Sequence, residues 1–514
     1  MTTSSIRPLA PLLLLSLAAT HSVEAAPERR PNVLFIIADD LNNRLGCYGD
    51  PLVRTPHLDQ LAARGVRFDR AYCAFPLCGP SRNSILTGLY PNSTGILANG
   101  QIFRQTVPNH LSLPQAFRQQ GYFAARVGKL YHYGVPNAIG TDGHDDPASW
   151  ELQLNPAGVD RTEEHPKIFS LTPGSFGGTL SWYASPKSDE HHTDGKIAAD
   201  AEWILERCAK QTDRPFFLAV GFFRPHTPYV SPKNPYFDMY PAEKMPVAQV
   251  TPEEKAQIPP AALMSYKREQ DALTDDLRRE ALQAYSASIS FMDAQVGRVI
   301  ASLDRLGLSE NTIIVFTSDH GYHNGEHGLW QKQSLFEESA RVPLLIVPPG
   351  SKGKNAVAPT PVSHVDLYPT LVQLAGIRAP EGLQGQSLAP MLQDPSAKGR
   401  GWSLSQVVRG GGFRRNGASA AVGDNGSRFF GYSLRTEQWT YTEWDEGRQG
   451  RQLFDHAKDP RELQNLAEKP ELASVLTQLS AQLREAVKGT FPPNGLTPPL
   501  PSGGSLWEPE AFPR

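Results

Sequence analysis

Asn32-Val33-Leu34-Phe35-Ile36-Ile37-Ala38-Asp39-Asp40 is an unbroken apolar run of strand length that ends abruptly in two carboxylates. A strand wet on one face alternates apolar and polar residues, so a continuous run reads as a strand buried on both faces, as in a parallel sheet. Two later segments have the same form. Pro215-Phe216-Phe217-Leu218-Ala219-Val220-Gly221-Phe222-Phe223 runs into Arg224-Pro225-His226, and Thr312-Ile313-Ile314-Val315-Phe316-Thr317-Ser318 runs into Asp319-His320. Helical patterns lie between them. Thr55 as N-cap, Pro56 at the first position, Leu58, Leu61 and Ala62 on one face and Gly65 as stop predict a helix after the first strand. Tyr285, Ile289, Met292, Val296, Val299 and Leu303, at steps of four and three and closed by Gly307, predict a longer one before the third. Strands alternating with helices imply an open α/β sheet, whose ligands gather beyond the carboxyl ends of the strands. Asp39, Asp40, His226, Asp319 and His320 are all expected along that edge.

Composition bounds the rest. At 514 residues the chain exceeds one ordinary core. A net charge of -3, with no basic stripe interleaved with aromatics, argues against a nucleic-acid partner. Arg7, the apolar run Leu9 to Ala19 and Val23-Glu24-Ala25 match a cleavable leader over residues 1–25, which predicts export. The run is too short to span a bilayer, and no later stretch is long enough, so stable membrane insertion is not expected. Four cysteines are few for an exported chain; Cys47 and Cys73 are candidates for one disulfide, with Cys208 as a buried thiol. The stretch from Gly134 to Asp194, rich in Gly, Pro, His and Asp, reads as a long insertion over the ligand edge. From about 385 the pattern shifts to short strands such as Phe429–Arg435 and Trp439–Trp444, then a helix around Ala473 to Val487. That predicts a smaller α+β unit over 385–495, after a main unit over 31–384, with a flexible tail over 496–514.

Chemistry concentrates in Leu77-Cys78-Gly79-Pro80-Ser81-Arg82-Asn83-Ser84-Ile85-Leu86-Thr87-Gly88. A thiol stands at the mouth of a predicted helix, where Ser81 can cap and where unpaired N–H groups favour an anion. Arg82 adds a forked donor suited to sulfate or phosphate. Asp39-Asp40 with Asp319-His320 supplies carboxylates and an imidazole for a divalent cation held mainly by oxygen, which points to calcium or magnesium, with His320 leaving manganese or zinc open. Gly128-Lys129-Leu130-Tyr131-His132, His226 between Pro225 and Pro228, and Lys332 are weak alone, since such residues are ordinary in loops. His323-Asn324-Gly325-Glu326-His327 fits a zinc-protease pattern that requires a continuous helix. Gly321, Gly325 and Gly328 forbid one, so that reading is set aside.

Taken together these motifs resemble the type I sulfatases of the alkaline phosphatase superfamily. Cys78-x-Pro80-Ser81-Arg82 followed by Thr87-Gly88 is similar to the family signature, whose cysteine is oxidised to Cα-formylglycine. Gly128-Lys129-x-x-His132, Arg224-Pro225-His226-x-Pro228, Thr317-Ser318-Asp319-His320-Gly321 and Gly325-Glu326-His327-Gly328-x-Trp330-x-Lys332 continue the likeness, which is greatest to the iduronate-2-sulfatase branch. Leu453-Phe454-Asp455 and Asp459-Pro460-x-Glu462-x-x-Asn465-Leu466 extend it toward the C-terminus, and Gly134 to Asp194 matches least. The resemblance implies a large mixed, mostly parallel sheet sandwiched by helices, with a C-terminal α+β subdomain containing an antiparallel sheet. It implies one divalent metal, calcium first, held by Asp39, Asp40, Cys78, Asp319 and His320, and formylglycine made from Cys78 by a formylglycine-generating enzyme. It further implies Cys78, Arg82, Lys129, His132, His226 and Lys332 as catalytic residues, with Lys129, His226 and Lys332 also binding the sulfate ester.

The expected activity is hydrolysis of sulfate esters on a saccharide, by an exported protein in the periplasm or outside the cell, or in the lysosome of an animal. Two rivals remain at this level: a phosphodiesterase or phosphonate monoester hydrolase using the same nucleophile, and an inactive glycan-binding protein if Cys78 stays a thiol. Arg104 and Arg224 are candidate carboxylate binders that the sequence cannot place, and Asn92-Ser93-Thr94 fits a glycosylation sequon.

Overall fold

The computed structural model describes residues 1–2, 29–351, 353–410 and 428–499. All but the first two residues of the predicted leader, and residues 500–514 of the predicted tail, lie outside them. Among the described residues no helix is long and apolar enough to cross a membrane.

Eight strands form the central sheet: β1 (Asn32–Ala38), β2 (Val66–Phe68), β3 (Phe123–Gly128), β4 (Leu152–Leu154), β5 (Phe216–Gly221), β6 (Thr312–Ser318), β7 (Leu344–Val347) and β8 (Ala356–Ala358), in the spatial order β8-β2-β7-β6-β1-β5-β3-β4. Only β7 runs against the others, pairing antiparallel with β6 and β2. The three runs read from sequence as doubly buried strands are its central neighbours β6, β1 and β5. Along β1 the pleat divides the run: Leu34, Ile36 and Ala38 enter one apolar layer, and Val33, Phe35 and Ile37 the other. The first layer is closed by α3 (Thr193–Lys210) and α4 (Asp275–Arg305), which supply Ile204, Val296 and Leu303. The second is closed by α2 (Cys78–Thr87) and α5 (Leu367–Leu374), through Ile85, Leu86 and Leu371.

Register levels the strand ends. Ala38 pairs with Ser318, Ile37 with Gly221, and Gly128 with Gly221. The residues that follow, Asp39, Asp319, Phe222 and Lys129, therefore leave the sheet at one height. Gly221 permits this closeness, because a Cβ there would lie 1.9 Å from the Lys129 carbonyl oxygen. Helix α1 (Pro56–Arg64) forms where the Thr55-Pro56 signal put it, but Thr55 makes no cap bond to it. Its hydroxyl is used by Gly46 N and Asp59, and Asp293 of α4 instead accepts from His57 N and Leu58 N.

Several expectations change. Helix α2 starts at Cys78 with Leu77 as N-cap, three residues before the proposed Ser81 cap; Pro80 falls in the first turn, where its missing N–H costs nothing. The insertion after Gly134 is not one long loop: β4 extends the main sheet, and Phe169–Ser170 and Ser181–Ser185 join Tyr229–Pro232 in a three-stranded sheet. All four cysteines are free, so the candidate Cys47–Cys73 bridge is not formed. Cys73 is buried facing the Ser339 carbonyl, while Cys47 sits in the turn Gly46–Tyr48 with its N–H on Asp59. The Asn92 sequon is buried, its amide bonded to Thr490, Tyr432 and Gln406, so it presents no surface acceptor.

Near the C-terminus β9 (Ser403–Arg409), β10 (Phe429–Arg435), β11 (Trp439–Trp444) and β12 (Arg451–Asp455) form the expected antiparallel sheet, backed by α6 (Ala473–Lys488). It is joined to the rest of the fold by buried polar contacts: Arg435 Nε to Glu337 Oε1 at 3.1 Å, and Ser405 Oγ donating to the Cys73 carbonyl at 2.6 Å.

Candidate active site

Seven charged side chains meet above the level ends of β1, β3 and β6, all of them buried apart from Lys332, which is partly so. Arg82, on the second turn of α2, donates from Nε to Asp319 Oδ2 at 2.9 Å and from Nη2 to Asp39 Oδ1 at 3.0 Å. Its Nη1 reaches the carbonyls of Lys129 and Leu130 at 2.7 and 3.2 Å. Lys129 Nζ donates to Asp39 Oδ2 at 2.6 Å. Lys332 Nζ donates to both oxygens of Asp40 at 2.7 and 2.9 Å, and lies 3.2 Å from Cys78 Sγ and 3.3 Å from His226 Nε2. His320 Nε2 is 3.2 Å from Asp40 Oδ1, 3.3 Å from Cys78 Sγ and 3.7 Å from Asp319 Oδ2.

Donor atoms of Asp40, Cys78, Asp319 and His320 fall within 4.8 Å of one another, a set able to hold a metal ion. The chemistry fits: two hard carboxylates, one imidazole whose Nδ1 donates to the Gly321 carbonyl and so leaves Nε2 as the ligand, and the position-78 side chain. Asp40 adopts a left-handed backbone, φ 62, which turns its carboxylate back toward α2. Its N–H donates to Asp319 Oδ1, and Tyr285 donates to its carbonyl. Asp39 stands outside that four-residue set, its two oxygens taken by Arg82 and Lys129.

The charges set one another. Burial alone would raise the Asp39 carboxyl, but Lys129 and Arg82 hold it well below its usual range. Burial and the neighbouring Cys78 push Asp40 up to about 7 against the pull of Lys332. Burial would also raise the Cys78 thiol, yet Lys129 and Lys332 outweigh it and lower it. Asp319, Asp40 and Cys78 lift His320 to about 9 in spite of burial. Burial, then Lys332, keep His226 well below its ordinary value, so its imidazole is neutral; Nδ1 donates to the Thr227 carbonyl and Nε2 faces Lys332. The result is an acidic floor under a cationic wall, with the Cys78 side chain between them.

His132 is placed by its backbone: its carbonyl accepts from His144 N at 3.0 Å, and the two imidazoles lie 5.5 Å apart. The carboxylate binders foreseen from sequence are already paired. Arg224 is buried against Asp160 at 2.8 Å, and Arg104 forks onto Asp146 at 3.0 Å. The supposed zinc-protease segment is a hairpin, with His323–Asn324 paired to Trp330–Gln331, and Lys332 follows it directly.

Supporting residues escaped the sequence reading because each acts across the fold. Ser81 Oγ donates to the Asp319 carbonyl, with His364 buried behind it. Asp194 accepts from the N–H groups of Phe223 and Arg224 at 3.0 and 2.9 Å and fixes the turn that presents His226. Asn99 accepts from Gly79 N at the mouth of α2. Ser81 reads from sequence only as a helix cap, and Asp194 leaves a trace as an acid in the first turn of a helix.

Residues 31–377 match the family model described as Sulfatase. The chain is 32% identical over 474 residues to a sulfatase of Formosa agariphila, covering 88% of this chain and 86% of that protein. It is 33% identical over 479 residues to iduronate 2-sulfatase of Mus musculus, covering 80% of this chain and 84% of the relative. Among solved structures, the phosphonate monoester hydrolase of Agrobacterium radiobacter superposes with a TM-score of 0.70 at 26% identity, covering 90% of this chain and 96% of that one.

Proposed function

The chain belongs to the sulfatase family, and from that premise we propose that it removes sulfate from a saccharide, using a formylglycine made from Cys78 and a divalent metal, calcium first. The observation that carries the reading is the environment of position 78: it opens α2, with an ammonium at 3.2 Å, an imidazole at 3.3 Å and a carboxylate at 3.8 Å. Asp40, Asp319, His320 and position 78 would hold the metal, with Asp39 beside them. When present, metal and formylglycine supply an activated oxygen nucleophile and draw charge from the sulfate oxygens.

The chain's own side chains do the rest. Lys129 and Lys332, the two cations that lower the Cys78 thiol, bind the sulfate oxygens, where charge grows as the ester bond breaks. Arg82 is fully occupied by Asp39, Asp319 and two carbonyls, so it orients the carboxylates and adds field without leaving them. Lys332 carries a proton 3.3 Å from neutral His226, and one of this pair delivers it to the leaving sugar oxygen. His132 takes up a proton when sulfate is released. Export by way of the 1–25 leader, and maturation by a formylglycine-generating enzyme, belong to the same proposal.

The superposed phosphonate monoester hydrolase keeps a second reading in play, hydrolysis of phosphorus esters on the same nucleophile. Purified full-length protein from a host able to convert the cysteine tests both. Defined sulfated oligosaccharides should release sulfate faster than phosphodiesters or phosphonate monoesters are cleaved, and peptide mass spectrometry should find an aldehyde at position 78. Preferred phosphorus-ester turnover, or an unmodified thiol in active protein, would overturn the sulfatase reading. Cys78→Ala should keep the fold and abolish turnover.

A further inference from the structure

The hairpin that delivers Lys332 is held in an unfavourable shape. Gln331 and Gln333, on either side of Lys332, have φ of 80 and 70, and His327 in the turn has φ 56. Non-glycine residues persist in that region only where their surroundings dictate it. At the hairpin's base the surroundings are visible: Gln270 donates to the Trp330 carbonyl at 3.0 Å, Lys267 donates to Gln331 Oε1, and Arg409 donates to the Gln333 carbonyl at 2.7 Å.

Toward its tip an imidazole holds it. His327 is buried, with Nδ1 3.1 Å from Glu254 Oε1 and Nε2 3.5 Å from Glu338 Oε2, and its ring stacks on Phe336 with centroids 3.9 Å apart and planes 14° apart. With a carboxylate hydrogen-bonded at Nδ1 and a second at ion-pair distance from Nε2, the ring pairs as an imidazolium between two acids. Those acids come from separate segments, Glu254 from the helix Pro252–Ala256 and Glu338 from the turn leading to β7. Between tip and base the hairpin transmits position as a unit. Its strands pair His323 with Gln331 and Asn324 with Trp330, and Gly325 N donates to the Leu329 carbonyl at 2.9 Å.

We propose that His327, clamped by Glu254 and Glu338, is a positioning residue for Lys332: it seats the hairpin tip so that the lysine ammonium reaches the sulfate site. This rests on the sulfatase reading for the role of Lys332, though not for the clamp. A double-mutant cycle tests it in the full-length, modified protein: wild type, His327→Gln, Lys332→Ala and both together, each checked for folding by thermal melting. Kinetics use an aryl sulfate, and the Kd for inorganic sulfate is measured by calorimetry in parallel.

His327→Gln should lower kcat/KM by about 10- to 100-fold, the scale of a misplaced catalytic group. Added to Lys332→Ala it should cost less than about threefold more, because the group it positions is already gone. The sulfate Kd should show the same non-additivity. Full multiplication of the two effects, or an unchanged His327→Gln enzyme, would overturn the proposal by making His327 a residue of general stability. If His327→Gln does not fold, Glu254→Gln, which keeps the imidazole and removes one charge, runs the same cycle under the same criteria. An intact binding cycle without sulfate-ester turnover would remove the sulfatase reading and leave the clamp standing. Turnover with an additive cycle would do the reverse.

Discussion

Arg82 shows why residue type and not charge alone matters here. Its fork spans Asp39 and Asp319, which follow two neighbouring strands, and still reaches two carbonyls. A lysine offers one compact ammonium and cannot bridge both acids, so Arg82→Lys gives up at least one of two buried ion pairs. Chemical denaturation should show a loss of about 3–5 kcal/mol, the range for breaking a buried pair from one side. The four-residue donor set makes a second expectation at this scale. Chelation of divalent ions should abolish turnover and lower the melting temperature, and calcium should restore both, since an ion bound only by the folded state stabilises it by mass action. An unchanged melt after chelation would count against the metal.

Elements carry the site because their ends are level. Close packing at Gly128 and Gly221 brings β3 against β5 and lets Lys129 turn inward beside Asp39, which a larger side chain at Gly221 would prevent. The hairpin before Lys332 works in a different way, through charge. Burial alone would lower the His327 imidazole, but Glu254 and Glu338, helped by the more distant Glu462, raise it to about 10 from an ordinary 6.5; His323 is the other ring facing Glu338. A basic group raised in the folded state lends stability that is whole below pH 6.5 and is lost as pH climbs through about 10. Unfolding free energy should therefore fall across that interval, and the fall should be shallower in His327→Gln. Equal slopes in the two proteins would mean that the imidazolium is not what holds the tip.

At the scale of the molecule, the C-terminal sheet is part of the catalytic body's support. Arg435 of β10 pairs with Glu337 and lies over the Tyr72 ring, and Arg409 of β9 holds the carbonyl of Gln333 next to Lys332. Arg435→Met would take the nearest cation from the buried Glu337 carboxylate at that junction and should cost about 3–5 kcal/mol in a denaturation experiment. Loss of activity in proportion to the unfolded fraction would accompany it. Retention of full stability would show that the C-terminal sheet is held without the Arg435–Glu337 pair.

Much of this was readable from the chain because it is local. Unbroken apolar runs ending in Asp39-Asp40 and Asp319-His320 marked the central strands and the edge they serve, since burial on both faces leaves no polar alternation. Cys78-x-Pro80-Ser81-Arg82 placed a thiol, a helix mouth and a guanidinium together by spacing alone. Residues whose partners are remote in sequence could not be read that way: Asp293 capping α1, Asp194 fixing the His226 turn, and His327 held by Glu254 and Glu338. The sequence by itself determined an α/β sheet with a thiol and a guanidinium near the acids of its carboxyl edge, because period and spacing are properties of neighbouring residues. Only the tertiary structure decided that Arg224 is a structural cation bound to Asp160, that the cysteines stay free, and that Lys332 reaches Cys78 from a clamped hairpin. Those outcomes depend on which distant segments meet in the absence of water, and a buried charge or thiol takes its state from the partner it meets there.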